Sequence, residues 1–173
     1  MNSLIAYYSR KGNNYVGGKI MNLLVGNTEV AALLIQEQTG SDVFVIDTVT
    51  AYPTDYHETT AVSRKELDTQ ARPELRGQVD KMDDYRTIFL GYPNWWGTMP
   101  MAVCTFLEAY DFSDKIIIPF CTHEGSGMGH SERDIQQICP TASVLQGLAI
   151  RGGSVREAGN AISAWLRTLD VTA

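Results

Sequence analysis

The apolar positions of this chain fall in short, nearly continuous runs, and longer segments with helical spacing separate them. Runs of this kind are typical of strands that are covered on both faces, as in a parallel sheet. Pro119 removes a ladder donor from one run, so we expect it near the carboxyl end of a strand or at a bulge. The five predicted strands are residues 4–8, 43–46, 88–90, 116–120 and 144–150.

Between these runs, apolar residues recur every three or four positions, which predicts amphipathic helices. In the first segment Val30, Leu33 and Leu34 form one stripe, and Gly40 supplies a stop. In the last segment Trp165 is expected to pack in the core. Strands that alternate with helices indicate βαβ units, so we predict an α/β three-layer sandwich whose five-stranded parallel sheet has the order 2-1-3-4-5. The predicted helices are residues 28–38, 56–70, 101–110, 131–138 and 155–169.

Composition narrows the class of protein further. The 173 residues predict a single domain over 1–173, in which the polar stretch 73–85 is a surface connection. The net charge of −6 disfavours nucleic acid or a membrane surface as a partner, since both are anionic. The three cysteines are far apart and predict free thiols in a reducing compartment. The amino terminus makes a poor signal peptide, so the expected location is the cytoplasm.

The strand order makes the loops after strands 1, 3 and 4 neighbours, at the crevice where such sheets bind ligands. After strand 1, Ser9 is followed by a Gly-Asn segment, and Gly26, Asn27 and Thr28 open the first helix. Backbone N–H groups at a helix start attract an anion, which predicts a phosphate site. Gly-Asn pairs also make ordinary turns, and Thr28 is an ordinary N-cap residue, so this motif alone leaves both interpretations open.

The two parts of this phosphate loop are separated by an apolar segment that contains Gly17 and Gly18. Such a pattern predicts a hairpin, inserted at about residues 15–24. Ser9 would donate its hydroxyl to the phosphate from the first part of the loop, and Asn14 would brace the same phosphate. Arg10 and Lys11 can neutralise an anion, although basic residues beside a turn are more often solvated.

The loop after strand 3 carries the adjacent tryptophans Trp95 and Trp96 between Pro93-Asn94 and Gly97. Loops rarely expose two indoles to water, and one of the two must point away from the core if the other points in. A flat aromatic ligand would supply the missing partner. The alternative is a small apolar cluster folded under the loop.

The loop after strand 4 is rich in glycine and lets the backbone approach a ligand closely. We therefore assign to the ligand site Thr122, His123, Gly125, Ser126 and Gly127. No histidine has a carboxylate or cysteine at metal-ligand spacing, so no metal is expected. Cys121 is interpreted as a small buried apolar residue rather than a nucleophile.

A phosphate site, an aromatic platform and a glycine-rich loop at three neighbouring strand ends describe a mononucleotide with a flat ring system, and FMN fits all three. A Gly-x-Gly-x-x-Gly motif for a dinucleotide does not follow strand 1. Segments 7–13, 26–29, 91–100 and 122–127 together resemble a bacterial flavodoxin-like family over nearly the whole chain. The resemblance implies the flavodoxin sandwich, with the ring between the Trp95-Trp96 loop and the His123 loop. The divided phosphate loop departs from that family. Either Asn13 and Asn14 or Asn27 and Thr28 hold the phosphate, and we favour the second pair because it opens the helix.

Two functions of different class follow from FMN. The first is an electron carrier that serves redox partner proteins or a small electron acceptor, favoured by the acidic surface and small size. The second is an NAD(P)H-dependent reductase of quinones or similar acceptors, favoured by the neutral tryptophan loop and by His123, a possible tuner of the ring. Gly97 can also turn its carbonyl toward the ring. The family resemblance favours the carrier.

Overall fold

The computed structural model describes residues 2–169, and most of its strands belong to one parallel sheet. Two further strands, Gly12–Val16 and Lys19–Leu23, form a separate antiparallel pair. The strands are β1 (Asn2–Tyr7), β2 (Gly12–Val16), β3 (Lys19–Leu23), β4 (Asp42–Val45), β5 (Tyr85–Pro93), β6 (Ile116–His123), β7 (Ser143–Val144) and β8 (Leu148–Arg151).

Within residues 2–169, five α-helices lie on the two faces of the sheet, and the first four of them connect strands. They are α1 (Asn27–Thr39), α2 (Tyr56–Asp68), α3 (Met101–Glu108), α4 (Ser131–Ile138) and α5 (Gly159–Thr168). A 3-10 helix over Gly152–Glu157 precedes α5, so the predicted helix 155–169 is shorter than expected and begins with a tighter turn. None of the helices within residues 2–169 has both the length and the apolar character required to cross a bilayer.

The sheet order is β4-β1-β5-β6, and β7 and β8 share the next position, both paired in parallel with β6. Numbered as in the sequence prediction, this order is 2-1-3-4-5, so the predicted three-layer α/β fold is confirmed. The chain reverses its winding direction between β1 and β5, which opens a crevice at their carboxyl ends.

Alternate residues of the buried strands supply two separate cores. In β1, Leu4 and Ala6 face the side that carries α3 and α4, while Ile5 and Tyr7 face the side that carries α1 and α5. Strands covered on both sides explain why the apolar runs were continuous rather than alternating. Trp165 packs in the second core, 8% exposed and edge-on to Phe89, as predicted.

The fifth strand is not continuous, because it breaks opposite Pro119. Ile117 pairs with Val144 and Phe120 with Leu148, so three residues of the fifth strand, 145–147, lie opposite two residues of β6, 118 and 119. The backbone groups of alternate residues in β6 point to the same neighbouring strand. Because the Ile117 carbonyl accepts from Leu145 N, the backbone of Pro119 also points to the fifth strand, and proline has no N–H to donate there. Pro119 thus lies in the interior of β6, opposite the bulge that the extra residue makes in the fifth strand, and not at the carboxyl end of β6.

The segment 73–85 is not only a surface connection. Leu75 forms an antiparallel bridge with Thr48, and Met82 is 6% exposed in the first core. The 3-10 turn Met82–Asp84 leads directly into β5. Most residues of this stretch are polar, so its pattern did not predict that a few apolar residues pack it against the rest of the chain.

Candidate functional site

A crevice of about 600 Å³ lies at the carboxyl ends of β1, β5 and β6, where the three unusual loops meet. Most of the residues predicted from the sequence line it. They are Asn14, Asn27, Thr28, Pro93, Asn94, Trp95, Trp96, Thr122, His123, Gly125 and Ser126.

The open end of α1 forms one wall of the crevice. Within residues 2–169, the backbone N–H groups of Asn27 and Thr28 donate to no protein acceptor, and the N-cap Gly26 offers no side chain. These N–H groups and the positive end of the helix dipole suit an anionic phosphate. The Thr28 hydroxyl bonds the Thr122 hydroxyl at 2.7 Å and so ties α1 to β6.

Two predicted residues, Ser9 and Gly26, support this wall from behind and do not line the crevice. Ser9 Oγ accepts from Glu29 N at 3.0 Å and therefore caps α1 from the end of β1. A Cβ on Gly26 would collide with Ser9 Oγ and would lie 2.7 Å from the Arg10 carbonyl oxygen. Only glycine lets the two arms of the divided loop come this close.

The hairpin formed by β2 and β3 stands between these arms, with Gly17-Gly18 at its turn. Asn14 Nδ2 donates to the carbonyls of Arg10 and Gly12 and so braces the loop from within. The tip is held on the other side of the crevice, where Gly17 N donates to Glu124 Oε2 at 3.1 Å. The hairpin therefore spans the crevice near its phosphate end.

Arg10 is not a solvated residue. Its guanidinium donates to the carbonyls of Asn13, Pro53 and Thr54 and to the Thr59 hydroxyl. One cation thus joins the hairpin to the start of α2. Because these bonds leave the side chain little freedom, Arg10 contributes positive charge to the crevice and also fixes its wall.

The loop after β5 is a tight turn. Trp95 and Thr98 exchange both backbone hydrogen bonds, and Trp96 and Gly97 between them have φ values of +59° and +85°. These angles are those of a two-residue hairpin turn of the I′ type. The turn projects Trp96 outward, 48% exposed, while Trp95 packs edge-on against Tyr8 and Tyr52.

Trp96 is held in place although it is exposed. Its Nε1 donates to Ser63 Oγ at 3.1 Å, and the guanidinium carbon of Arg64 lies 5.3 Å from its ring centroid. Both partners belong to α2. The outer indole is therefore an ordered rim of the crevice, and the inner one packs in a small aromatic cluster with Tyr8 and Tyr52.

Asn94 connects the loops after β5 and β6. Its Nδ2 donates to the Gly127 carbonyl at 2.8 Å, and its Oδ1 accepts from Gly97 N at 2.9 Å. Gly97 and Gly127 therefore act through Asn94 and do not line the crevice. The Gly97 carbonyl accepts from His130 N at 2.8 Å, so it is engaged and not free to turn toward a ligand as suggested.

His123 is neutral in this site. Burial lowers the pKa of its imidazole, the nearby Arg151 lowers this pKa further, and Glu124 acts in the opposite sense. Its Nδ1 accepts from Gly125 N at 2.9 Å, which places the proton on Nε2. His123 can thus donate one hydrogen bond to a ligand but does not supply a cation.

Sequence reasoning missed the wall opposite α1 and several contacts between loops. Tyr56, Thr59, Thr60 and Ser63 recur at i, i+3, i+4 and i+7 on α2, a stripe of hydroxyls that could have marked this wall. The other residues have no such pattern. The missed lining residues are Arg10, Tyr15, Tyr56, Thr59, Thr60, Ser63, Glu124 and Gly152.

FMN can be tested against these walls. The open N–H groups of α1 suit its phosphate, the aromatic side chains of Trp95 and Trp96 suit the faces of a ring, and the Nε2–H of His123 suits a ring oxygen. The residues present therefore fit the group.

Solved structures share this architecture. A protein from Bacteroides eggerthii that is assigned as a flavoprotein is 26% identical, with 99% of each chain covered and a TM-score of 0.80. A second, from Bacteroides uniformis, is 27% identical over 96% of this chain and 97% of that one, with a TM-score of 0.75. A flavoprotein from Lactobacillus acidophilus, solved in complex with FMN, is 16% identical over 94% and 98% of the chains, with a TM-score of 0.66.

No curated protein matches the sequence. A family model does: the flavodoxin model matches residues 4–169, which is nearly the whole chain. The chain therefore belongs to the flavodoxin family, and the cofactor expected from its sequence, FMN, is confirmed.

Proposed function

We propose that this protein transfers electrons on FMN held in the crevice and exchanges them with a redox partner protein or a small acceptor at the Trp96 rim. One observation carries the proposal. Trp96 borders both the crevice and solvent, and it is fixed there by Ser63 and Arg64. An ordered, exposed aromatic edge offers a partner close approach to a bound ring without requiring a closed substrate chamber.

The residues around the crevice position the cofactor and do not supply a reacting group of their own. FMN, when bound, supplies the redox chemistry. Cys121, at the end of β6, is fully buried, and burial raises the pKa of its thiol to about 12, so it stays protonated. Asn94 fixes the turn beneath Trp96, and His123 offers one neutral donor. Cys121, Asn94 and His123 thus offer no activated nucleophile, and an electron carrier needs none.

The proposal is tested by reducing the purified holoprotein stepwise with dithionite or light. A carrier should accumulate a one-electron-reduced species and pass electrons to a second redox protein. Direct passage to the fully reduced state, together with no transfer to any protein acceptor, would overturn it.

The NAD(P)H-dependent reductase of quinones or similar acceptors remains a second candidate because of the α2 wall. Tyr15 from the hairpin and Tyr56 from α2 have ring centroids 6.2 Å apart with an interplanar angle of 31°. Together with the hydroxyls of Thr60 and Ser63, they line the crevice.

The second candidate has a separate test. Bleaching of the bound flavin by NAD(P)H, followed by turnover with a quinone, would support a reductase. Tyr56→Ala should then raise the KM for the quinone while FMN affinity stays unchanged. Absence of bleaching by either nicotinamide cofactor would exclude this candidate.

A further inference from the structure

The hairpin has one attached strand and one free strand. β2 supplies Asn14 and Tyr15 to the crevice, and the Tyr15 ring lies beside that of Tyr56 on α2. No residue of β3 lines the crevice, and within residues 2–169 β3 pairs with no strand other than β2. The hairpin is thus a two-stranded unit with an open edge at β3, and a sheet of two strands is only marginally stable in water.

The backbone of β3 presents donors and acceptors on its open side. The two turn glycines have positive φ and form a two-residue turn, so Val16 and Lys19 exchange both of their backbone hydrogen bonds. Bonded and non-bonded pairs alternate along an antiparallel ladder, so Ile20 and Asn22 direct their N–H and C=O groups away from β2. Both residues are exposed, and neither makes another backbone hydrogen bond within the described part of the chain.

The side chains of β3 do not protect this edge. Ile20 is 44% exposed, Met21 39%, and Leu24, just beyond the strand, 87%. Natural proteins usually protect an edge strand with a bulge, a proline or several charges, because an open edge pairs with other chains. The ladder over 12–23 has no register shift and no proline, and Lys19 is the one charged residue of β3. An apolar, unprotected edge indicates a surface that another strand covers.

Electrostatics distinguishes between the possible occupants of this edge. Residues 10–28 include Arg10, Lys11 and Lys19 but no acidic residue, although the chain has 20 Asp and Glu side chains and a net charge of −6. The hairpin is therefore a positive element on an acidic molecule. A strand with Asp or Glu beside Lys19 would be attracted, whereas β3 of a second copy would bring a further lysine. Salt screens charges beyond about 8 Å, so these local charges count most at contact.

The size of the hairpin also argues against a second copy. A stable interface uses about 20–30 residues a side, which is more than the whole segment 12–24 can supply. Smaller contacts are typical of short-lived encounters between electron-transfer proteins. Because β2 borders the crevice, a strand that adds to β3 would hold its parent protein close to the cofactor.

We infer that the open edge of β3 is a docking site for an extended, acidic segment of a redox partner protein, which adds to the hairpin as a third strand. The backbone groups of Ile20 and Asn22 bind the segment, and Lys19 selects its negative charge. This inference rests on the proposed exchange of electrons with a partner protein, and it names the chemistry of that partner's surface.

A short hairpin peptide, closed by a disulfide, serves as the probe. Its free strand alternates valine with threonine and carries a glutamate at each end, so that one glutamate lies beside Lys19 in either strand direction. A second peptide has lysine in place of both glutamates. A third is the acidic peptide with N-methyl groups on its outward amides, which removes its strand donors. Binding to the FMN-loaded protein is measured by NMR titration and by hydrogen exchange of the Ile20 and Asn22 amides.

We expect the acidic peptide to bind and to slow exchange at both amides. The lysine peptide should bind about fivefold more weakly, because one end charge beside Lys19 changes from attractive to repulsive. The methylated peptide should not bind, because it can no longer donate to the carbonyls of Ile20 and Asn22.

Asn22→Pro tests the edge itself. Asn22 and Asn13 form a non-hydrogen-bonded pair, so proline removes the outward N–H and leaves the ladder to β2 intact. The acidic peptide should bind this variant at least about tenfold more weakly, as the loss of a strand hydrogen bond predicts. Asn22→Ala is the matched control, which keeps the N–H and should bind as the natural chain does.

Lys19→Glu tests the charge. This variant should prefer the lysine peptide to the acidic one. Neither Lys19 nor Asn22 lines the crevice, so each variant should retain FMN with the affinity of the natural chain, which verifies that it is folded.

The inference is overturned if the acidic peptide does not bind the natural chain at millimolar concentration, if Asn22→Pro binds it as the natural chain does, or if protection appears only at another sheet edge, such as 42–45. Sedimentation of the protein alone detects the other occupant: a dimer that Asn22→Pro dissociates would assign the edge to a second copy and overturn the inference equally. A chain that binds the acidic peptide at β3 but fails the stepwise reduction test would refute the proposed function and not the docking site.

Discussion

Trp95 and Trp96 are adjacent in sequence, yet the I′ turn sends them to different environments. Trp95 completes an aromatic cluster with Tyr8 and Tyr52, whereas Trp96 forms the rim that Ser63 and Arg64 hold. The sequence of the loop predicted that one indole must point away from the core if the other points in. It could not tell which one, because that depends on which residue takes the positive φ.

This division gives different expectations for two single substitutions. Trp96→Ala should weaken FMN by about 1–2 kcal/mol through lost stacking and leave the stability of the apoprotein nearly unchanged. Trp95→Ala should lower the free energy of unfolding by about 3 kcal/mol, because it removes a large packed side chain. Flavin titration and urea unfolding of both apoproteins measure the two effects. If Trp95→Ala and Trp96→Ala changed FMN affinity and the free energy of unfolding alike, the division into an inner and an outer indole would be contradicted.

At the scale of elements, the sequence predicted all five positions of the main sheet and the five α-helices within residues 2–169, since each leaves a local pattern of apolar residues, but it gave one strand over 144–150 where the structure has β7 and β8. It did not predict contacts made across the chain. The break opposite Pro119 depends on which neighbour the missing N–H faces, and the α2 wall depends on Arg10 reaching Pro53, Thr54 and Thr59. Long-range hydrogen bonds leave no period in the sequence, so these features required the structure.

Arg10 offers a test at this scale. Arg10→Lys keeps the charge but cannot reproduce the fork of donors that joins the hairpin to α2. We expect hydrogen exchange of the amides in 12–23 to accelerate about tenfold, as the loss of hydrogen bonds from a charged group predicts. FMN should bind more weakly, since Asn14 and Tyr15 of the hairpin line the crevice.

Lys11 provides the control for Arg10, because it is an exposed cation next in the chain. Lys11→Gln should leave both exchange and FMN affinity as they are. If Arg10→Lys were equally silent, the guanidinium would have no bracing role.

At the scale of the whole molecule, one of the two cores, on the side of the sheet that carries α3 and α4, encloses all three cysteines. Cys104, Cys121 and Cys139 are free and buried, as the sequence predicted for free thiols. Burial raises the pKa of the Cys104 and Cys139 thiols to about 11 and that of Cys121 to about 12, from an ordinary value of 9.0. The folded chain therefore keeps protons that the unfolded chain releases.

The sign of the resulting pH dependence follows from this difference. Below about pH 9 both states hold the thiol protons and stability is unaffected by them. Above it the unfolded state binds fewer protons, so the free energy of unfolding should fall by up to about 1.4 kcal/mol per pH unit for each thiol, until the folded-state pKa values are passed.

Urea unfolding at a series of alkaline pH values measures this loss. The variant in which all three cysteines are alanine should lose stability less steeply over the same range. An equally steep decline would assign the effect to other groups, among them Tyr7, where burial raises the phenol pKa to about 12.

The two ends of the hairpin that divides the phosphate loop lie side by side, since Gly12 pairs with Leu23. A segment whose ends already touch can be lengthened, shortened or exchanged without pulling Ser9 away from α1. This chain is therefore free to change size beside its cofactor while the scaffold below stays the same. Exchanging the β2–β3 hairpin alone is a route to a new ligand selectivity at the crevice.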